Sequence, residues 1–101
     1  MRLEDEFLKH MRENIAEMEA CIRRSERYVD HARSIGDKSA EDIAIFAGLD
    51  AKNAIKSFEE AVENRLDPGK ADKFRKEAHV FVHSASSKLE DLAREFPNVV
   101  A

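Results

Sequence analysis

Apolar or small side chains recur at alternating intervals of three and four residues through the first third of the chain. The positions are Leu8, Met11, Ile15, Met18, Ile22, Ser25, Val29 and Ala32. Because an α-helix completes a turn in about 3.6 residues, this spacing places the side chains along one side of a single long helix, as in a coiled coil. The pattern predicts a helix over residues 3–35, ending where Gly36 can serve as the glycine that follows a helix.

A second helix is predicted over residues 40–66, and its inward side is rich in alanine. The inward positions are Ala40, Ala44, Ala47, Ala51, Ala54, Ile55, Phe58, Ala61 and Val62. Ser39 is the predicted N-cap, and Asp42 follows three residues later in the position of a capping box. Since alanine has a short side chain, we expect neighbouring helices to approach this one closely.

The start of a third helix, over residues 68–96, is indicated by Asp67 as N-cap and Pro68 at the first helical position. One side of this helix carries Phe74, Ala78, Phe81, Ala85, Leu89, Leu92 and Phe96. No segment shows the alternation of a strand, and short connections between long helices favour antiparallel neighbours. The predicted fold is therefore all-α, an antiparallel up-down-up three-helix bundle in one domain over residues 1–101.

Composition and charge argue against several classes of function. The net charge of −4 gives no general attraction for nucleic acid or for an anionic membrane. A single cysteine, Cys21, excludes an internal disulfide and a four-cysteine zinc site. The acidic start MRLEDEF is followed by no apolar signal segment, and no uncharged run approaches the roughly 18 residues of a membrane helix. We therefore expect a cytoplasmic protein without a cofactor that binds neither nucleic acid nor membranes.

Two runs lack Asp, Glu, Lys and Arg in a chain of which these four residues make up 38%. The first is IAIFAGL, residues 43–49, and the second is AHVFVHSASS, residues 78–87. Helical geometry directs Ile45, Phe46 and Leu49 of the first run away from the alanine side of their helix. An apolar cluster on the outer side of an amphipathic helix indicates a contact surface.

The second run adds Val80, which lies almost opposite the apolar side of its own helix. In a hairpin that folds at Asp67, residues 43–49 lie opposite about residues 85–91, so the two runs belong to neighbouring helices. We expect an interface on the outer faces of helices two and three, used by a homodimer or by another protein. Its predicted residues are Ile45, Phe46, Leu49 and Val80, with His79 and His83 beside them.

The second run also contains His79 and His83, which are four residues apart and share one helix face. Both side chains could reach one metal ion, although a third ligand would have to come from elsewhere. The motifs H-E-x-x-H and E-x-x-H do not occur, so neither zinc-protease nor di-iron chemistry is indicated. A phosphate group could instead be bound near the start of helix three, where three lysines lie: Lys70, Lys73 and Lys76.

No group of residues has the spacing of a catalytic site, so we expect no catalytic activity. The predicted function is a small helical interaction, adaptor or regulatory module that associates with itself. The alternative is a helical protein that binds a metal ion or phosphate through His79 and His83.

Overall fold

The computed structural model describes residues 3–99, which form three α-helices. They are α1 (Leu3–Ile35), α2 (Lys38–Glu63) and α3 (Pro68–Glu95). The described part of the chain contains no strand. No helix within it is sufficiently long and apolar to cross a membrane.

Ion pairs at the two ends of α1 show that α1 and α2 are antiparallel. Arg65, just after α2, donates from Nε to Glu4 Oε1 at 3.0 Å near the start of α1. Arg33, near the end of α1, donates from Nε to Glu41 Oε2 at 2.8 Å in the first turns of α2. The beginning of each helix therefore lies beside the end of the other.

Two contacts show the same relation between α2 and α3. Ser84 Oγ donates to Asp50 Oδ2 at 2.7 Å, and the His79 ring meets the Phe58 ring edge-on with centroids 5.6 Å apart. The later residue of α2 meets the earlier residue of α3. This arrangement confirms the predicted all-α, antiparallel, up-down-up three-helix bundle.

Helix α2 is central, because it packs along both α1 and α3, which contact each other over only a short stretch. The bundle measures 49 × 22 × 17 Å. Small side chains cover most of the buried side of α2, and its buried residues are Ala40, Ala44, Ala47, Gly48, Ala51, Ala54, Ser57, Phe58 and Ala61. The alanine pattern thus makes α2 slim enough for a neighbour on each side.

The core is divided along the length of the bundle into two clusters. The first is centred on Met11, Met18, Phe58, Ala78 and Ala85. The second contains Tyr28, Ala32, Leu89 and Leu92, together with alanines from the start of α2. The buried members of both clusters are predicted inward positions, since the 3.6-residue period keeps them on one side of each helix, with the exception of Tyr28, which the predicted row of α1 omits.

The end of α1 has the geometry that Gly36 predicts. This glycine has φ of +71°, and its N–H donates to Arg33 O at 3.2 Å. The N–H of Asp37 donates to Ala32 O at 2.9 Å. These two bonds form a Schellman motif, which satisfies carbonyl groups that the helix end leaves open.

The start of α2 differs from the prediction, because Asp37 and not Ser39 is the N-cap. The Asp37 carboxylate accepts the N–H of Ala40 at 3.0 Å, so the helix begins at Lys38, two residues before the predicted start. Asp37 therefore ends one helix and begins the next. A carboxylate and a serine hydroxyl are both good caps, and the Schellman motif places the carboxylate in reach first.

The end of α2 lies at Glu63, three residues before the predicted end at 66. The Asn64 amide donates from Nδ2 to Glu60 O at 2.8 Å, and the N–H of Asp67 donates to Asn64 O at 2.9 Å. These bonds close a turn instead of a further helical turn. Asp67 then caps α3 through the N–H of Lys70 at 3.2 Å, as predicted.

Candidate interaction surface

The outer side of α2 exposes three neighbouring large apolar residues, which we call the α2 patch: Ile45, Phe46 and Leu49. Their exposed fractions are 36%, 56% and 46%. They lie between the buried positions Ala44, Ala47 and Ala51 in sequence but on the opposite side of the helix, because each residue advances the helix by about 100°. The positions are those that the helical period predicts to point outward.

Charged residues border the α2 patch at both ends. Asp42 precedes the patch by one turn and is 3.3 Å from Lys38 Nζ through its Oδ1. Lys52 and Lys56 follow it, and both are exposed. Within residues 3–99, neither of these two lysines forms an ion pair or a side-chain hydrogen bond. The patch therefore has a carboxylate at one end and two ammonium groups at the other.

Immediately beside the patch, three polar side chains join α2 to α3. Asp50 Oδ2 accepts from Ser84 Oγ and from Lys88 Nζ, both at 2.7 Å, and Lys88 Nζ also donates to Ser84 Oγ at 2.6 Å. The Asp50 and Lys88 side chains are only 19% and 32% exposed. Each of the three groups contacts the other two, and partial burial makes such contacts stronger than on an open surface.

This cluster resembles a serine–lysine catalytic pair only in composition. Such a pair requires a lysine that takes the proton of the serine hydroxyl. Here Lys88 donates to Ser84, while the Ser84 hydroxyl donates to Asp50. The arrangement therefore holds α3 against α2, and it fixes α2 directly behind the patch.

Asp50, Ser84 and Lys88 are not among the residues that the sequence pattern predicts to form a site. The signal that could have found them is the predicted register, in which residues 43–49 lie opposite 85–91. One further step along that register brings Asp50 opposite Ser84, and Lys88 follows one turn later on the same side of α3. Part of the uncharged run on α3 is thus explained by a serine that pairs with a carboxylate of α2.

Val80 is 69% exposed on α3. It lies one helical turn before Ser84, so the cluster of Asp50, Ser84 and Lys88 stands between Val80 and the α2 patch along the bundle. Three of the four predicted interface residues are thus neighbours on α2, and the fourth lies on α3 beyond this cluster.

His79 lies on a different side of the molecule from the α2 patch. Its ring packs edge-on against Phe58 and lines a groove of about 450 Å³ between α1 and α3. The other residues of this groove are Phe7, His10, Met11, Asn14 and Arg75. His83 follows one turn later on α3 and is exposed. Within residues 3–99, no three His, Cys, Asp or Glu side chains form a group that could hold a metal ion.

The groove extends toward the start of α1 into a second depression of about 370 Å³. Leu3 and Leu66 at its edge are more than 80% exposed. The two arginines that line it are already paired, Arg65 with Glu4 and Arg75 with the carboxylate of Asp72. Each positive charge is matched by a neighbouring negative charge, so the lining favours no particular sign of ligand.

The three lysines near the start of α3 do not converge on one point. Lys76 Nζ is 2.9 Å from Asp72 Oδ2, and Lys73 Nζ lies 5.9 Å from the centre of the Phe74 ring. The N–H of Lys70 is occupied by the Asp67 cap. The backbone N–H of Lys70 is therefore bonded to the Asp67 carboxylate and is not available to a phosphate.

Cys21 is half-buried between the two core clusters. Burial raises the pKa of its thiol, and the nearby Arg24 only partly opposes this effect. A nucleophilic cysteine needs the thiolate form, which a raised pKa disfavours. The environment is that of a packed side chain.

Comparison with known proteins gives no relative, since no family model, no curated protein and no solved structure matches this chain.

Proposed function

We propose that this protein is a small interaction module, of the adaptor or regulatory kind, which associates with itself through the α2 patch. The observation that carries the proposal is the group of Ile45, Phe46 and Leu49, three large apolar side chains exposed together on a helix whose opposite side is fully used by the core. Grouped apolar exposure of this kind is typical of contact surfaces.

The α2 patch offers enough apolar surface for a partner to gain from covering it. Burial of a complete side chain of this size is worth roughly 1.5–3 kcal/mol. About half of each of these side chains is exposed. A partner that covers them therefore gains a free energy of binding on the order of 1 kcal/mol per residue. In a symmetric pair both copies contribute, which doubles the gain.

The patch is also held in a fixed position. Leu49 lies between Gly48, which packs against Ser25 of α1, and Asp50, which bonds to Ser84 of α3. Neighbouring residues thus fasten α2 to both other helices directly behind the exposed side chains. A surface that is ordered before binding loses less conformational entropy when it binds.

We also assign the protein to the cytoplasm. The half-buried thiol of Cys21 is a free cysteine, which suits a compartment that keeps thiols reduced. Cell fractionation with an epitope-tagged chain tests the assignment, and recovery of the protein from a secreted or periplasmic fraction would refute it.

Sedimentation equilibrium over a wide concentration range tests the proposed self-association. We expect the wild-type chain to form a dimer and the variant Phe46→Asp to remain a monomer with unchanged helical content by circular dichroism. The matched control is Leu66→Asp, which places the same charge at a residue that is 82% exposed and remote from the patch, and it should form a dimer.

Two results would contradict the proposal. A wild-type chain that stays monomeric at every concentration would rule out self-association. A Phe46→Asp variant that associates as strongly as the wild type would show that the contact surface lies elsewhere.

A further inference from the structure

We infer that the partner of the α2 patch is a second copy of this chain, related by a two-fold axis that makes the two α2 helices antiparallel. The inference rests on the proposed function and adds the orientation and register of the contact. It is carried by the order of charges along the outer side of α2 and by Lys52 and Lys56, which form no ion pair within residues 3–99.

The outer side of α2 carries its own row of residues at intervals of three and four. Its members are Lys38, Asp42, Ile45, Leu49, Lys52, Lys56, Glu59 and Glu63. Such a row faces one direction along the helix, as the core-facing row of α1 does. A helix of a second molecule that lies along this row therefore meets its charges and its apolar residues in sequence.

An antiparallel pairing brings opposite charges together, whereas a parallel pairing brings like charges together. With the two-fold axis at Leu49, that leucine packs against its own copy, and Asp42 faces Lys56 of the second copy. The symmetry repeats this pair on the other side of the axis. In a parallel pair each residue faces itself, so Asp42 would meet Asp42 and Lys56 would meet Lys56. Like charges in direct contact disfavour association.

The charge of Lys38 selects this register over the neighbouring one. With the axis at Leu49, Lys38 faces Glu60 of the second copy. An axis midway between Ile45 and Leu49 would instead pair Asp42 with Lys52 of the second copy but place Lys38 against Lys56. The first register therefore creates two kinds of favourable charge contact, whereas the second creates one attraction and one repulsion.

Asp42 and Lys56, which form the central charge pair, are available for this contact. Lys56 forms no ion pair or side-chain hydrogen bond within the part of the chain that the structure describes. The pair of Asp42 with Lys38 is on the surface, with side chains 50% and 76% exposed, and such pairs contribute little to stability. Asp42 can therefore turn to a partner at small cost.

The same register also covers Phe46. With the axis at Leu49, Lys52 of the second copy faces Phe46, and long lysine side chains lie along apolar surface with the ammonium group in water.

Charge reversal tests the orientation. The dissociation constant of the dimer is measured by sedimentation equilibrium for Asp42→Lys, for Lys56→Glu and for the chain that carries both changes. Each single change turns both symmetry-related attractions into repulsions, so we expect each to weaken the dimer by about tenfold or more. The combined variant exchanges the two charges and should return to within about threefold of the wild type.

The outcomes separate this inference from the proposed function. A dimer that Phe46→Asp abolishes but that both charge reversals leave within threefold of the wild type would overturn the antiparallel register and leave the contact surface standing. A combined variant as weak as the single ones would overturn it as well. A wild-type chain that does not associate at all would refute the proposed self-association, and the inference with it.

Discussion

Gly48 of α2 and Ser25 of α1 meet where no room exists for one added methyl group. A Cβ atom at position 48 would lie 2.7 Å from Ser25 Oγ and 3.6 Å from Ser25 Cβ. Both residues are buried, and the Ser25 hydroxyl is held by its bond to Ile22 O at 2.7 Å. We therefore expect Gly48→Ala to lower the free energy of unfolding by about 1–3 kcal/mol, as overpacking does, measured by urea denaturation at one protein concentration.

The variant Ser25→Ala supplies the control, since it removes the atom that clashes. In that background the nearest remaining atom, Cβ of residue 25, is at ordinary contact distance. Gly48→Ala should then stabilise the protein by up to about 1 kcal/mol, because alanine favours a helix more than glycine does. If Gly48→Ala is equally harmful in both backgrounds, the clash with Ser25 is not its cause.

Much of the fold follows from periodicity, and Gly48 shows the limit of that reasoning. The spacing of Ala44, Ala47 and Ala51 was sufficient to predict which side of α2 is buried and that neighbours approach it closely. The point of closest approach depends on the register between α1 and α2. The spacing of residues within one helix does not determine that register. In the sequence Gly48 is one residue of an uncharged run, and only the packing of α1 against α2 brings it beside Ser25.

At the candidate surface, too, one helix alone determines some features and the packing between helices determines others. The exposure of Ile45, Phe46 and Leu49 could be predicted, since one helix determines which of its own residues face outward. The separation of His79 from these residues could not, because it depends on how far α1 and α3 stand apart. That distance leaves a groove, and His79 turns into it. The start of α2 could not be predicted either, because it depends on which of two good caps, Asp37 or Ser39, the preceding turn brings within reach.

The bonds of Asp50 to Ser84 and Lys88 should contribute measurably to stability. Hydrogen bonds that involve a charged group are worth about 1.5–3 kcal/mol when one partner is removed. We expect Asp50→Ala to lower the free energy of unfolding by about 2 kcal/mol. A double-mutant cycle with Lys88→Ala should give a coupling energy of at least about 0.5 kcal/mol.

The exposed pair of Arg94 with Asp91 provides the comparison for that cycle. Its side chains are 76% and 60% exposed, so water screens the interaction. The equivalent cycle with Arg94→Ala and Asp91→Ala should give a coupling energy near zero, at most about 0.5 kcal/mol. Equal coupling in the two cycles would show that burial does not strengthen the contact of Asp50.

Gly36 is required for its backbone conformation and not for space. Its φ is +71°, and within residues 3–99 no atom beyond the two flanking residues lies within 4 Å of a Cβ built at this position. Gly36→Ala should therefore lower the free energy of unfolding by roughly 1–2 kcal/mol, the cost of a left-handed conformation for an ordinary residue. Gly36→Asn should cost less, because asparagine adopts this conformation more readily. Thermal denaturation of the two variants checks the order, which a steric cause would reverse because asparagine is larger.

Acid should weaken the junction between α1 and α2. Hydrogen bonds from Arg33 and then Lys38 hold the pKa of Glu41 below its ordinary value of 4.5. A lowered carboxyl pKa contributes stability above the unfolded value, and this contribution is lost as the pH falls through the lower folded value. We therefore expect Glu41→Gln to reduce the fall in melting temperature between pH 6 and pH 2.5. Glu19→Gln is the control, since Glu19 forms no ion pair within residues 3–99, and an equal reduction by both variants would contradict the assignment.

Zinc binding separates the proposed interaction module from the alternative based on His79 and His83. His79 is engaged with Phe58, and within residues 3–99 no third His, Cys, Asp or Glu completes a metal group with the two histidines. Two ligands without a third bind zinc weakly. We expect native mass spectrometry in the presence of equimolar zinc to show protein without stoichiometric metal, and the melting temperature to stay unchanged. One zinc ion per chain or per dimer, lost in both His79→Ala and His83→Ala while subunit number is retained, would make the histidine pair the functional site.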